Sequence, residues 1–357
     1  MINHYSKRFK TLDGKAPMVI GHRGSPGFGG ENTLLGYRRA IMALEADGFE
    51  IDIRLTKDKE LVACHDLALN RLIGEQQLND LFPEYVKEEE NGSVWYTADF
   101  TLAELQQLKV TYPAPGCERL DYNKLGEEYR MPSYGEILDL FLSLKEYPGK
   151  EDIILYTELV SHPEEKDFPG HVLMGYKLLE AFSKIGFENV CNSVWLQSFD
   201  YRLMEYLSEQ RELLGFQKTQ LSLYRDSNEI DAIRNEADFR NFVLEKVAKN
   251  RLDVFHIWKV AMLHLVEDLQ IDVVGIVHRL GLKLHLFTFD DTKFYSDYTK
   301  KYDQEGFKSI SEEFHYFYAL GVDAVMSDFI SSAKEVRDAM QLINVKQESL
   351  LKEFAIN

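Results

Sequence analysis

Two acidic residues two positions apart, Glu50 and Asp52, sit inside the apolar run 49–55. Successive side chains of a strand point to opposite faces, so this pair shares one face while Ile51 and Ile53 share the other. If the isoleucines pack beneath helices, the two carboxylates face a common opening. There they repel and raise one another's pKa unless a cation lies between them. A hard divalent cation with oxygen ligands suits that arrangement, and Glu158, closing the apolar run 153–158, offers a third carboxylate. A solvent-facing edge strand, or pairing with Arg54, accounts for the same pair without a metal. His22 and His65 each directly follow a strand pattern and precede a loop. Imidazole titrates near neutral pH, so two histidines can serve as general base and general acid. Arg23 beside His22 carries a planar donor fork suited to phosphate. The remaining histidines (His4, His162, His171, His256, His264, His278, His285 and His315) read as structural.

These residues need elements to bring them together. Strand patterns fall at 17–21, 49–55, 153–158, 194–198, 213–217, 252–257, 282–289 and 324–327, with a further short one at 61–64. Helical periodicity fills the intervals at 31–47, 133–145, 173–185, from 200 onward, 228–249, 262–280, 309–320 and 331–343. Ser133 with Glu136 three residues on forms a capping box for the second of these. Setting the 61–64 strand aside, eight strand–helix units follow one another. Alternating strands and helices imply a parallel sheet with right-handed crossovers, and eight units imply closure into an α/β fold, the TIM (β/α)8 barrel. An open doubly wound sheet is the alternative, but no Gly-x-Gly-x-x-Gly follows the first strand. In a barrel, catalytic groups come from the C-terminal ends of strands; His22 and Arg23 end the first strand and Glu158 ends the third, while Glu50 and Asp52 lie on the second. The irregular stretch 67–132, with its acidic run Glu88-Glu89-Glu90 and the 113–116 turn, reads as an insertion after the second barrel strand of a single domain over residues 1–357.

Composition narrows the partners. The chain has 357 residues, 45% hydrophobic and 28% charged, with a formal net charge of −18. That balance argues against nucleic acid, whose binding relies on basic patches, and against anionic membrane surfaces. An anionic small molecule stays admissible, because screening confines the field to about 8–10 Å, provided Arg, Lys or a metal lines the site. No run approaches the roughly 18 apolar residues of a membrane span, so no stable membrane insertion is expected. Residues 1–15 show no apolar leader segment. The chain as it stands reads as cytoplasmic, or as periplasmic or secreted where a leader precedes it. Cys64, Cys117 and Cys191 form neither a disulfide framework nor a zinc pattern and read as free, mostly buried thiols.

Taken in order, His22-Arg23-Gly24, Glu31-Asn32-Thr33, Glu50-x-Asp52, Thr56-Lys57-Asp58 and His65-Asp66 resemble the glycerophosphodiester phosphodiesterase family. Weaker agreement continues through Glu158, 197–200, 287–290 and 321–328. The 96–101 stretch looks like the longer, bacterial periplasmic-type branch. The resemblance implies a TIM barrel that cleaves a small-molecule glycerophosphodiester to glycerol 3-phosphate and an alcohol such as choline or ethanolamine. It implies Glu50, Asp52 and Glu158 as ligands of one Ca²⁺ or Mg²⁺, His22 and His65 as the acid/base pair, and Arg23 on the phosphate. Glu31 would stand next to the metal, Asn32 would orient the loop, and Phe287 would line the glycerol side where the family usually has Trp. One residue departs from the pattern: Val160 stands where the family has Lys, removing a positive charge that Lys166 or His162 would have to replace. Two other outcomes fit the same motifs, cleavage of lysophospholipids or sphingolipids, and a barrel that binds a phosphodiester without turning it over.

Overall fold

The structure, a computed structural model, describes residues 9–112, 119–160, 170–215, 221–225, 230–290 and 307–355. His4, the 113–116 turn, Cys117, His162 and Lys166 lie outside the described residues. The strands, in chain order, are β1 (Met18–Gly21), β2 (Gly48–Leu55), β3 (Leu61–Ala63), β4 (Lys87–Glu89), β5 (Gly92–Val94), β6 (Ile154–Leu159), β7 (Val194–Ser198), β8 (Leu221–Arg225), β9 (Val254–Trp258), β10 (Lys283–Phe289) and β11 (Ala324–Ser327). The chain divides into two compact units, residues 21–223 and residues 1–20 with 224–357.

In the unit of residues 21–223, β2, β6 and β7 run parallel, and β7 continues the ladder to the first residues of β8. Asp52 pairs with Glu158 across the β2–β6 ladder, and Glu50 with Tyr156. The short β3 lies antiparallel on the other side of β2. All eight residues of β2 are buried, as expected of a parallel strand covered on both faces. A solvent-facing edge strand is therefore ruled out for Glu50 and Asp52. Phe49 stacks on Tyr37 of the helix Leu34–Met42, with ring centroids 4.9 Å apart, and meets Phe141 of the helix Tyr134–Lys145 edge-on at 6.1 Å. With Ile51 and Ile53 fully buried, the odd positions form the helix-packed face. Each such side chain contributes roughly 1.5–3 kcal/mol by leaving water. The even positions, Glu50 and Asp52, consequently point to the opposite face.

Residues 67–132 are better organised than the sequence suggests. Leu69, Leu72, Ile73, Leu78, Phe82, Trp95, Phe100, Leu105, Leu108, Val110 and Met131 pack into a hydrophobic cluster of their own, joined by Val62 and Cys64. The Trp95 indole N–H is satisfied by the Phe82 carbonyl at 3.0 Å. The acidic run lies on the exposed β4–β5 hairpin, a solvated face.

In the second unit, β9, β10 and β11 are parallel, with β1 beside β11. Asp323 accepts from the Leu12 and Leu284 amides at 2.6 and 2.7 Å and pairs with His278 at 2.8 Å, fixing the N-terminal segment to this sheet. The helices Ile310–Leu320 and Ile330–Ala355 follow β10 and β11.

Several expected boundaries move. Of the strand expected at 213–217, Leu213 and Leu214 instead end the helix Tyr201–Leu214, capped by Asp200 and closed by Gly215 in the left-handed conformation, and 216–217 lie outside the described residues. Leu213 and Leu214 are exposed, so an apolar pair on a helix surface imitates a strand, and the strand itself is β8. The 31–47 helix begins only at Leu34, because Asn32 has a φ of +54 and Thr33 is the cap. Of the expected 228–249 helix, 228–229 lie outside the described residues, 231–235 interrupt it, and it resumes as Glu236–Val243 with a π turn over Leu244–Ala248, while 262–280 splits into Lys259–Leu263, a π turn and Val273–Arg279. Among the described residues, no helix is long and apolar enough to cross a membrane.

Candidate active site

The loop after β1 is bound to β2 by its backbone. Arg23 donates its N–H to Glu50 Oε2 at 2.7 Å, and its carbonyl accepts from the Asn32 amide at 3.1 Å. These bonds hold Arg23 at a φ of +51, a region few non-glycine residues occupy. Gly24 follows at +83. A Cβ there would fall 2.8 Å from the Tyr37 ring, so the turn packs against the helix only with glycine. Asn32 lies below the turn. Its amide donates to Asp52 Oδ2 at 2.8 Å, while its carbonyl accepts from the Tyr37 hydroxyl at 2.8 Å and the Asp52 amide at 3.2 Å. Asn32 thus orients Asp52 as well as the loop.

The structure brings Glu50, Asp52 and Glu158 together. One carboxylate oxygen from each lies within 4.8 Å of the others, and all three residues are buried. The β2–β6 register accounts for this, because it sets Asp52 opposite Glu158. Glu50 Oε1 is buried without a hydrogen-bond partner. Burial pushes the Glu50 carboxyl well above its usual range, and the neighbouring charges of Asp52 and Glu158 push it further. An ionised carboxylate with a buried, unpartnered oxygen is costly unless a cation neutralises it. Three close oxygen donors fit a hard divalent ion such as Ca²⁺ or Mg²⁺.

A second set of charges stands beside the first, and its carboxylates are paired with arginines. Arg23 Nη1 donates to Glu31 Oε1 at 2.9 Å, and Arg23 Nε lies 3.2 Å from Asp52 Oδ2 without aiming its N–H at it. Glu31 is also gripped by Arg71, whose Nη1 and Nη2 donate to its two oxygens at 2.8 and 2.7 Å. The same guanidinium reaches Asp66, with Nε to Oδ2 at 2.6 Å and Nη2 to Oδ1 at 3.0 Å. Asp66 in turn meets His65 Nδ1 at 2.8 Å. Burial by itself would raise the Glu31 carboxyl, but Arg23 and Arg71 outweigh it and bring it down to about 2. Asp66 is likewise held below its ordinary value, burial being overcome by His65 and Arg71.

His22, Arg23, Glu31, Asn32, Glu50, Asp52, His65 and Glu158 all belong to the unit of residues 21–223. Phe287 belongs to the other unit, where its ring meets that of His256 edge-on at 5.1 Å. Val160 is buried just beyond Glu158, its amide donating to the Ile53 carbonyl at 3.1 Å. Reading the sequence alone misses Arg71 and the tasks of Asp66 and Tyr37. Arg71 lies in the four-residue helix Asn70–Ile73 within the insertion, where no periodicity marks it.

The model of the glycerophosphoryl diester phosphodiesterase family matches residues 22–332. The chain belongs to this family. Among related glycerophosphodiester phosphodiesterases, one from Haemophilus influenzae is 26% identical over 219 residues, covering 58% of this chain and 56% of the relative. One from Caldanaerobacter subterraneus is 30% identical over 187 residues, covering 52% of this chain and 58% of the relative. The chain therefore spans somewhat more than half the length of these curated relatives. A solved structure from Silicibacter pomeroyi aligns with a TM-score of 0.63 at 20% identity, over 93% of this chain and 98% of that one. A phosphodiesterase from Oleispira antarctica, solved with the product sn-glycerol-3-phosphate, aligns at 0.55 and 19% identity, over 92% and 99%. These likenesses show the fold of the glycerophosphoryl diester phosphodiesterase chain, the α/β TIM barrel expected from its strand–helix units.

Proposed function

We propose that this chain hydrolyses glycerophosphodiesters to glycerol 3-phosphate and an alcohol, in a reaction that depends on one divalent cation. The observation carrying this reading is the buried Glu50–Asp52–Glu158 cluster with its unpartnered Glu50 oxygen, in the unit that also holds both motif histidines. The product in the Oleispira antarctica complex, sn-glycerol-3-phosphate, is the product expected here. The whole of residues 1–357 is taken as one catalytic domain, with 67–132 as its insertion.

Glu50, Asp52 and Glu158 would hold Ca²⁺ or Mg²⁺. A bound cation of this kind supplies Lewis-acid neutralisation of phosphate charge. Arg23 would steady the phosphate with the donors that Glu31 does not use. One of His22 and His65 takes the proton from the glycerol hydroxyl next to the phosphate as its oxygen attacks phosphorus. The other protonates the departing alcohol oxygen as the P–O bond breaks. Water then opens the cyclic phosphate with the two proton roles exchanged, so each histidine returns to its starting state. Val160 leaves the reaction without the lysine charge usual in the family, which places more of the phosphate's neutralisation on Arg23 and the cation.

The test is release of glycerol 3-phosphate from glycerophosphocholine after EDTA treatment, then with Ca²⁺ or Mg²⁺ restored. Release that returns with either metal supports the reading. A folded protein that binds the metal yet releases nothing overturns it.

A further inference from the structure

Arg71 donates four hydrogen bonds to two carboxylates that come from different parts of the chain, Glu31 after the first strand and Asp66 after β3. Its own position is fixed at both ends. The flanking residues Leu69, Leu72 and Ile73 are buried in the cluster of the insertion. Its backbone carbonyl accepts from Arg119 Nη2 at 2.7 Å, and its guanidinium lies over the Tyr112 ring at 4.5 Å. A planar guanidinium can serve both carboxylates at once; an ammonium is a point charge without the fork.

What this does to His65 follows from hydrogen-bond chemistry. An ionised carboxylate can only accept. Asp66, clamped by Arg71 as an anion, therefore requires that His65 Nδ1 carry the proton it donates at 2.8 Å. Neutral His65 is then left with its lone pair on Nε2, the nitrogen free to exchange a proton with substrate. We propose that Arg71 is a positioning residue, which uses the packed insertion as its socket to fix Asp66, and through it the tautomer of His65, while bracing Glu31 against Arg23. The inference rests on the acid/base reading of His65 given above and assigns a task to the 67–132 insertion: presenting one guanidinium at the point where the two histidine motifs meet.

The experiment uses full-length protein with ¹⁵N-labelled histidine at about pH 8.5, where free imidazole is neutral. The His65 signals are assigned by their loss in His65→Gln. In the native chain, Nδ1 should report as protonated and Nε2 as unprotonated. Arg71→Met should move His65 toward the opposite tautomer. Arg71→Lys, which keeps one charge but loses the fork, should do so in part and lower kcat by about 10- to 100-fold, with KM changing less. If Arg71→Met does not fold, Arg71→Lys carries both readouts. A residue that merely supports the fold would alter the unfolding temperature and leave the tautomer unchanged; a native His65 tautomer and native kcat in the folded variants overturn the proposal. His65→Ala separates the two readings. Full activity there removes the acid/base role, whereas a tautomer insensitive to Arg71 removes only Arg71's task.

Discussion

The site contains two sets of carboxylates, all buried except the half-buried Asp66, that differ in their partners. Glu31 and Asp66 are closed by arginines, and both are held ionised below their usual range. Glu50, Asp52 and Glu158 have backbone, amide and edge-of-guanidinium contacts, yet Glu50 is pushed the other way. Burial is similar on the two sides, since Glu31 is 3% exposed and Glu50 1%, so burial does not decide the sign. Partners do. On one side arginines close the carboxylates; on the other Arg23 reaches only the edge of Asp52, Glu50 keeps an unpartnered buried oxygen, and the three carboxylates fit a cation. On the proposed reading, the first side is fixed architecture and the second is where an exchangeable cation would bind.

The largest expected effects are on turnover, where the comparison requires both sides at once. His65→Ala, at the end of the arginine-closed side, and His22→Ala should each fold normally and lose about 10²- to 10⁴-fold in kcat. Glu158→Gln, on the open side, should remove the stimulation by divalent metal altogether. Steady-state assays with circular dichroism as a folding check decide this, and a folded Glu158→Gln protein still stimulated by Mg²⁺ would place the metal elsewhere.

Next in size is stability on the closed side. Glu31→Gln leaves Arg23 and Arg71 facing a neutral amide, and breaking one partner of a buried ion pair costs about 3–5 kcal/mol. Urea unfolding at neutral pH measures it. The pH dependence has a fixed sign. A carboxyl whose folded value is depressed contributes stability that is present above its ordinary value of 4.5 and is lost as pH falls toward about 2. The native chain should therefore lose stability over that acid window, and Glu31→Gln should show a shallower loss there. Parallel acid limbs in the two proteins would mean that Glu31 is not held as an anion.

How much of this was legible in the sequence depends on the kind of regularity involved. Glu50 and Asp52 were readable because a two-residue alternation inside an apolar strand puts them on one face. Glu158 was readable as a third carboxylate at a strand end, but its place opposite Asp52 is a matter of ladder register, which no local pattern carries. Seven of the eight expected barrel strands and the Ser133–Glu136 capping box were likewise legible from local chemistry. Arg71 was not. Its neighbours Leu69 and Leu72 are apolar without a sustained period, and its partners Glu31 and Asp66 are 40 and 5 residues away. The insertion looked irregular for the same reason: Leu72, Trp95, Phe100 and Met131 converge in space from short turns rather than from one amphipathic element. The 213–217 strand failed because Leu213 and Leu214 resemble a buried pair in sequence and end an exposed helical turn in space.

A smaller effect sharpens the open side. A ligand that binds only the folded state adds about 2.7 kcal/mol of stability at a hundredfold excess over its Kd. Ca²⁺ or Mg²⁺ should accordingly raise the unfolding temperature of the native chain by a few degrees in calorimetry. Asp52→Asn should reduce that gain. Glu31→Gln should retain it, because Glu31 belongs to the closed side. Equal loss of the metal response in both variants would merge the two sides into one network.

The smallest effect is the most discriminating, because its sign is opposite to intuition. Removing a charge from a buried, hydrogen-bonded site usually destabilises. Glu50 is different: its carboxyl is raised by burial and by two like charges, and one of its oxygens is unpartnered. A group raised in the folded state contributes stability that is fully present below its ordinary value of 4.5 and is lost as pH rises through the folded value. At neutral pH without metal, the raised Glu50 carboxyl is thus a burden, and Glu50→Gln should stabilise the metal-free chain by about 1 kcal/mol while abolishing the gain from Ca²⁺ or Mg²⁺. Between pH 4.5 and neutrality the metal-free native chain should lose stability relative to Glu50→Gln, the reverse of the order expected for Glu31→Gln. Paired urea titrations of the two variants at both ends of that range measure the crossing. If both substitutions destabilised at neutral pH with EDTA present, Glu50 would be paired within the protein, and the pocket would be as closed as its neighbour.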